Sequence, residues 1–558
     1  MEKGGTYMGK TGYPSIDKTH LQGVPEAKLH PEILPVSMLA TFSKINGEHL
    51  DEIAIETNGR TYTKKQLKDD AVKFAGLLLK FGINAGDKIA LIAQNCYEGI
   101  VATFGANAIG VKVVVMKPMD DADVATFYDE LNVHRPKFVL FADSSAAWMS
   151  AVKSYAKYIK AYLAATPIDP YTEQYFGFRN VLDSTDISLE ATMQEIEKHS
   201  FSEKDEPMLY LKTSGSSSKP KTLPFSNRAI FAALIYAANS TGTETRDETV
   251  KKALCQASYY HGYGWMPMFV NIMGGNPVIL AGSAPEDIAK YHKLRPSYIY
   301  GSPLTLKQFI ELTPKNADLS SITAFFCAGA ALHEKDYEDG IKYFREHNCQ
   351  AEIRNNYGIS EGLCIGTVND HIPHVPGTAG KFYIGPEWLI VDEDGNEVKY
   401  GEVGEAIVSA ASLCQGYFGD EEATKKAFFI RDGKTWFKTG DSLSLREDGY
   451  VTFIGRERRF FIAEGIFEKV NCEVIEEAIS KIDSIYQSAV VVTPDETGAK
   501  AFIALKDGIE PSQVTKQEIQ KALSKTLQSY QMPRKITFID KIPMMDSGKV
   551  DYKLLETM

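Results

Sequence analysis

No uninterrupted apolar stretch in this chain approaches the roughly 18 residues a membrane span requires. The best candidate, 103–116, is broken by Lys112. Paired cysteines are lacking too. The seven present are odd in number and scattered without a CxxC pair, which reads as reduced thiols in a cytoplasmic protein rather than a disulfide framework. Excess positive charge is absent: the net charge of −12 argues against nucleic acid or an anionic membrane as a main partner. His371 and His374 are not at helical metal spacing, so no structural metal is expected. Residues 1–5 have no apolar core of a signal peptide, and the last four residues have no cysteine to prenylate. The expectation is a soluble cytoplasmic protein without internal repeats or low-complexity tracts.

What is present is an alternation of short β-rich runs and longer helical stretches, in 558 residues of 44 % apolar and 24 % charged composition. Thr63 and Gln66 have the spacing of a capping box. Leu67, Ala71, Phe74, Ala75 and Leu78 follow at helical intervals. A turn at Gly86-Asp87 leads into a buried strand over 88–93. The rhythm continues with a helix near 97–110, a strand over 111–116, a helix near 122–132 and a strand over 137–141. Such alternation predicts an α/β fold with mostly parallel sheets covered by helices. Residues 384–455 instead show closely spaced strands and turns, a β-rich subdomain. Beyond Gly455, helical stretches near 471–482 and 514–529 flank a strand candidate over 489–493, which suggests a small α+β module. The division expected is 1–455 and 456–558.

Five segments carry chemistry. The run Thr213, Ser214, Gly215, Ser216, Ser217, Ser218, Lys219, Pro220, Lys221 follows an apolar strand and offers hydroxyls, backbone N–H groups and ammonium charge to a polyphosphate. Pro220 stands where the second glycine of a Walker A loop belongs, so hydroxyls must do more of the contacting. A plain Ser-rich linker is the alternative. In Tyr357-Gly358-Ile359-Ser360-Glu361 an aromatic can stack on a base while a hydroxyl and a carboxylate reach phosphate and Mg²⁺; a helix start capped by Ser360 is the alternative. Asp441, after what reads as a tight Thr439-Gly440 turn, can accept from both ribose hydroxyls, or close a simple hairpin. Gly455-Arg456 ends a strand. Gly548-Lys549 brings one lysine to a C-terminal loop, where glycine permits close approach to a ligand.

In this order the five segments resemble the adenylate-forming (AMP-binding) superfamily of acyl-CoA synthetases, luciferases and peptide-synthetase adenylation domains. The resemblance runs from about residue 50 to the C-terminus. It includes the phosphate loop, the YGxTE and TGD motifs, the GR of the hinge and the GK of the last motif. The segments 86–90, 327–330 and 401–405 add to it. It implies that a carboxylate attacks the α-phosphate of ATP, pyrophosphate leaves, and a thiol then attacks the acyl-adenylate. Lys549 would bridge carboxylate and phosphate. Glu361, with Ser216, would hold Mg²⁺; Tyr357 would stack on adenine; Asp441 and Arg456 would fix the ribose; Gly329 and Ala330 would line the adenine slot. The small C-terminal domain would be mobile, swinging about a hinge at Arg458 and withdrawing the lysine.

His261 stands where amino-acid-activating members carry an Asp for the substrate's α-ammonium, and histidine supplies no fixed negative charge near neutral pH. The resemblance therefore implies an aryl or fatty acid without an α-amine, unless His261 merely packs beneath the loop. The acid pocket would come from Tyr263, Trp265, Tyr300, Gly301, Phe326 and Gly358. Departures fall in the phosphate loop (Ser218 and Thr222 for glycines) and in the hinge. There GRxDDxIK becomes Gly455-Arg456-Glu457-Arg458-Arg459-Phe460-Phe461-Ile462, and the spacing to Glu473 and Glu476 is longer than usual. Arg456, Arg458 and Arg459 could form a basic patch for CoA or an acidic carrier protein, or a solvated charge cluster. Three functions stay open: an acid–CoA ligase, a stand-alone enzyme loading a carrier protein, and a non-catalytic nucleotide-binding protein.

Overall fold

A computed structural model describes residues 11–21, 24–33, 37–117, 124–142, 146–165, 176–199, 205–213, 220–241, 250–369, 374–456, 459–463, 469–511, 514, 516–545 and 549–558. The helix Lys64–Lys80 starts where the sequence places it. The Thr63 hydroxyl accepts from the Gln66 N–H, and the Gln66 side chain accepts from the Thr63 N–H. Its face carrying Leu67, Ala71, Phe74, Ala75 and Leu78 is buried. The strands that follow are Lys88–Ile92, Lys112–Val115 and Phe138–Phe141, separated by helices Tyr97–Ala108 and Val124–His134.

These elements belong to one of two seven-stranded sheets. In chain numbers its order is 176–177, 161–164, 138–141, 88–92, 112–115, 207–212, 222–226. All neighbours are parallel except the last pair. The second sheet runs 352–355, 324–327, 298–301, 253–255, 278–280, 53–57, 60–63, again parallel but for its last pair. The period of 2 assigns each strand residue to a layer. Ile89 and Leu91 join Ile55, Ala253, Val278 and helices 64–80, 97–108 and 262–273 in the main core. Ala90 and Ile92 face the opposite side of the first sheet, and Leu254, Ile299 and Phe325 face the opposite side of the second. Strands covered on both faces read as unbroken apolar runs, as parallel strands must.

The β-rich expectation corresponds to a five-stranded antiparallel sheet of 387–391, 403–409, 434–445, 428–431 and 451–456. Residues 439–441 are not the hairpin turn that the sequence suggested. They lie inside the strand Lys434–Leu445, where Lys438 faces Ile407 and Ser442 faces Glu405, so Thr439, Gly440 and Asp441 bulge opposite Ala406. A bulge and a turn both call for a glycine at positive φ, here +67°, which is why composition did not separate them. The C-terminal part is a three-stranded sheet, 485–492, 499–505 and 535–538, with helices Cys472–Ser480 and Lys516–Leu523. The strand foreseen at 489–493 is longer than expected. The helix foreseen at 514–529 is shorter.

Candidate functional site

Parallel sheets gather loops at the carboxyl ends of their strands, the usual place for a ligand crevice. Thr213, Gly329 and Tyr357 each follow such an end, and a cleft of about 1630 Å³ opens there. Its walls include Thr213, Lys221, Gly329, Ala330, Tyr357, Gly358, Ser360, Glu361, Asp441, Arg456 and Lys549, so residues up to 336 positions apart in sequence meet in one space. Ser214, Gly215, Ser216, Ser217 and Arg458 lie outside the described residues. The base of their loop is closed: the Lys221 N–H donates to Thr213 Oγ1 at 2.9 Å, and the Thr213 N–H donates to the Lys221 carbonyl. The Lys221 ammonium sits 4.0 Å over the Tyr417 ring.

Tyr417 is a wall residue that sequence reasoning missed. Its hydroxyl donates to Glu361 Oε1 at 2.8 Å. Burial pushes the Glu361 carboxyl above its ordinary range, and the Tyr417 bond opposes that rise. The available signal was an aromatic bracketed by Gly416 and Gly419, both at positive φ. Glu361 does not start a helix capped by Ser360. It lies in one turn of 3₁₀ helix, Ser360–Gly362, with Ile359 at the N-cap. The turn exits through Leu363 and Cys364, at φ +55° and +67°. Left-handed backbone costs a non-glycine residue about 1–3 kcal/mol and is kept where the surroundings over-determine it.

The antiparallel register sets Arg456 opposite Asp441. Their ion pair measures 3.2 Å, and the Asp441 charge raises the guanidinium pKa. Asp441 is 1 % exposed and also accepts from the Tyr357 hydroxyl at 2.7 Å. The Tyr357 phenol thus has a partner that its expected stacking role did not foresee. The bulge is stitched by the Thr439 hydroxyl, which donates to the Ala406 carbonyl and accepts from the Asp441 N–H.

Lys549 enters from the C-terminal part. The Met545 N–H donates to its carbonyl at 2.7 Å, closing the loop that presents it. A side chain added at Gly329 would lie 3.7 Å from Lys549 Cε. Burial, and then the Arg456 charge, lower its ammonium pKa to about 8. Cys364 is near enough for Lys549 to oppose a burial-driven rise of its thiol to about 12.

Of the residues expected to form an acid pocket, Gly358 lines this cleft, while Tyr263, Trp265, Tyr300, Gly301 and Phe326 are not among its walls. Trp265 does not line the cleft: it is fully buried and stacked on Phe269 at 4.2 Å, a core side chain. Phe326 is 3 % exposed beneath Tyr300, their rings 4.6 Å apart. Tyr263 donates to the carbonyls of Gly301 and Phe326. His261 precedes the helix Gly262–Met273 and bridges to Lys212, its Nδ1 3.4 Å from the Lys212 carbonyl. That puts it at the carboxyl end of strand Pro207–Lys212. Arg459 does not join an outward basic patch. It points inward to Glu473 at 2.8 Å, Glu476 at 2.6 Å and the Val490 carbonyl at 3.0 Å, over the Tyr552 ring. Its carboxylate partners explain how arginine replaces an acid in the hinge segment.

Magnesium is bound through one or two carboxylates and substrate phosphates rather than by an all-protein cage. The half-buried Glu361, which shares Tyr417 as a neighbour with Lys221, fits that pattern. Among the described residues no group of three or more His, Cys, Asp or Glu could hold a metal alone. Among them, too, no helix is long and apolar enough to cross a membrane.

Known proteins agree with this geometry. An acetyl-coenzyme A synthetase of Pyrobaculum aerophilum is 24 % identical over 541 residues, covering 92 % of this chain and 79 % of that one. The acyl-CoA ligase sidI of Aspergillus fumigatus is 25 % identical over 522 residues, 88 % of this chain and 85 % of that one. Among solved structures, the anthranilate CoA ligase AuaEII in complex with anthranoyl-AMP superposes with a TM-score of 0.81 at 19 % identity, covering 96 % of this chain and 98 % of that one. A benzoate CoA ligase from Burkholderia xenovorans gives 0.77 at 21 %, covering 93 % and 99 %. The AMP-binding enzyme family matches residues 42–418, and the AMP-binding enzyme C-terminal domain matches 474–549. With its two sheets, its cleft and the lysine that enters it, the chain belongs to the AMP-binding enzyme family.

Proposed function

We propose that this protein is an AMP-forming acid–CoA ligase. A carboxylate oxygen of the acid bonds to the α-phosphorus of ATP as the bond to pyrophosphate breaks. The CoA thiol then bonds to the acyl carbon, AMP leaves with the carboxylate oxygen, and the thiol proton passes to solvent. The observation that carries this reading is Lys549, an ammonium from the C-terminal part, seated beside Gly329 in the cleft that holds Glu361, Asp441 and Arg456.

Like charges of acid and phosphate repel, and a cation between them removes that barrier in a site partly closed to water. Lys549 is our candidate for that cation. Asp441, held by Tyr357 and Arg456, is preset to accept from ribose hydroxyls; Thr213 and Lys221 suit the phosphates. Mg²⁺ arriving with the nucleotide would take Glu361 and supply charge neutralisation to the departing pyrophosphate. Residues 1–455 and 456–558 are our proposed division, with Arg458 at the hinge. Seven free cysteines suit a reducing, ATP-rich compartment, the cytoplasm.

The test is product analysis after incubation with Mg-ATP, CoA and a panel of carboxylic acids. The reading predicts acid-dependent AMP and pyrophosphate together with an acyl-CoA thioester. Pyrophosphate without thioester would favour a carrier protein as acceptor. ATP binding with no product would favour a non-catalytic role.

A further inference from the structure

We propose that Lys212 is a positioning residue for ATP: braced by Glu130 and Thr222, it fixes Thr213 and Lys221 for the phosphates. This rests on the nucleotide part of the ligase reading and adds to it a residue that is not itself a wall of the cleft.

Lys212 ends the strand Pro207–Lys212, and its ladder partner is Thr222, the first residue of strand Thr222–Ser226. The pair stands just behind Thr213 and Lys221, which do line the cleft. Those two are tied together by the Lys221 N–H, which donates to Thr213 Oγ1, and the Thr213 N–H, which donates to the Lys221 carbonyl, both at 2.9 Å. Behind them the Lys212 ammonium donates to Thr222 Oγ1 at 2.7 Å and to Glu130 Oε1 at 2.8 Å. The Lys212 and Glu130 side chains are only 14 % and 19 % exposed, and Thr222 is buried. A charge with so little water around it needs such partners. Glycine, which the resembled loop carries at 222, offers no side-chain oxygen. Threonine does, at the start of a strand where a β-branched residue is favoured. The departure at 222 thus builds a contact.

The brace closes on itself. Helix Val124–His134 supplies Glu130 and, one turn on, His134, which stacks on Phe418 with ring centres 5.1 Å apart. The Phe418 N–H donates to the Thr222 carbonyl at 2.9 Å. Helix, Lys212, Thr222 and Phe418 therefore form a ring of contacts around the strand ends. Tyr417, the neighbour of Phe418, lies under the Lys221 ammonium and donates to Glu361. On the other side, the Lys212 N–H donates to the Tyr260 carbonyl at 3.3 Å, and its carbonyl lies 3.4 Å from His261 Nδ1. Substrate contacts work only when supporting residues hold them in place, and a misplacement of about 1 Å can cost about 100-fold.

The test uses the full chain and compares Mg-ATP with adenosine, which has no phosphates, by calorimetry. The variants are Lys212→Met, Thr222→Val, which keeps the shape without the hydroxyl, and Thr222→Ser, which keeps the hydroxyl. Thr222→Val should weaken Mg-ATP at least about fivefold, and Lys212→Met at least about tenfold. Adenosine affinity should stay within about twofold in both, and Thr222→Ser should bind Mg-ATP as wild type does. The double variant Lys212→Met, Thr222→Val should be no weaker than Lys212→Met alone, because the two residues act through one bond. Equal weakening of both ligands overturns the proposal, since damage to the fold alone would do that. So does Mg-ATP affinity that neither variant changes, or a Thr222→Ser as weak as Thr222→Val. If Lys212→Met does not fold, the two Thr222 variants decide. If wild type binds Mg-ATP no more tightly than adenosine, Thr213 and Lys221 hold no phosphate; the nucleotide reading then fails first, and the proposal with it.

Discussion

In the proposed role Lys549 must be charged to hold a carboxylate against a phosphate, yet burial and the neighbouring Arg456 bring its pKa down to about 8. The sign follows directly. Below that value the ammonium is present; as pH rises through it the cation is lost, and catalysis of the first step falls. Because kcat/KM reports groups of the free enzyme, kcat/KM for adenylate formation should decline above about pH 8. Lys549→Arg, slower overall, should move that falling limb upward, since guanidinium stays charged. A wild-type profile flat to pH 10 would contradict this. At this scale the sequence singled out contiguous residues that the fold brings to one cleft, as in 357–361, 439–441 and Lys549. It was opaque where a partner is distant. Tyr417 reaches Glu361 across 56 positions, and no local pattern marks that bond. Trp265 was misassigned because helical spacing gives its neighbours but not which face is core.

At the scale of elements, the unbroken apolar runs of strands 88–92, 112–115 and 138–141 and the capping box of helix 64–80 were readable, because each is a contiguous stretch of sequence. The bulge at Asp441 was not, since it depends on the register against strand Val403–Ser409. Arg459 shows the same limit. It replaces an acid and makes sense only beside Glu473 and Glu476, which helix Cys472–Ser480 supplies. Removing one member of a buried ionic cluster costs about 3–5 kcal/mol, so Arg459→Ala should lower the stability of the C-terminal part by that order in denaturant titrations. Glu473 adds a pH test. Burial, opposed by Arg459 and reinforced by Glu476, raises its carboxyl to about 7. The native state therefore keeps a proton that the unfolded chain releases earlier, and stability from this group falls as pH rises to about 7 and then levels off. Glu473→Gln should remove that decline, so its Tm relative to wild type should be higher at pH 8 than at pH 5. An equal difference at both pH values would show that Glu473 is not the group responsible.

At the scale of the molecule, polar contacts join the lysine-bearing part to the large one. Lys307 donates to the Tyr486 carbonyl at 2.9 Å, His333 meets Glu477 at 2.7 Å, and Lys335 meets Asp483 at 3.1 Å. Exposed pairs contribute roughly 0–1 kcal/mol each; these are only partly exposed, with the His333 side chain at 18 % and Lys335 at 25 %, and we propose that they break in each turnover. The triple variant Lys307→Ala, His333→Ala, Lys335→Ala should slow adenylate formation by about tenfold. Thioester formation from preformed acyl-adenylate should be unchanged or faster. Equal losses in both halves would count against a moving C-terminal part.

The central claim, that Lys549 completes an acid-adenylating site, is tested most directly by acid-dependent exchange of labelled pyrophosphate into ATP, in wild type and Lys549→Ala. The account predicts exchange in wild type with at least one acid of the panel and a loss of at least about 100-fold in the variant, with ATP affinity within a few-fold of wild type. Exchange that survives in Lys549→Ala, or that runs equally well without acid, would contradict it.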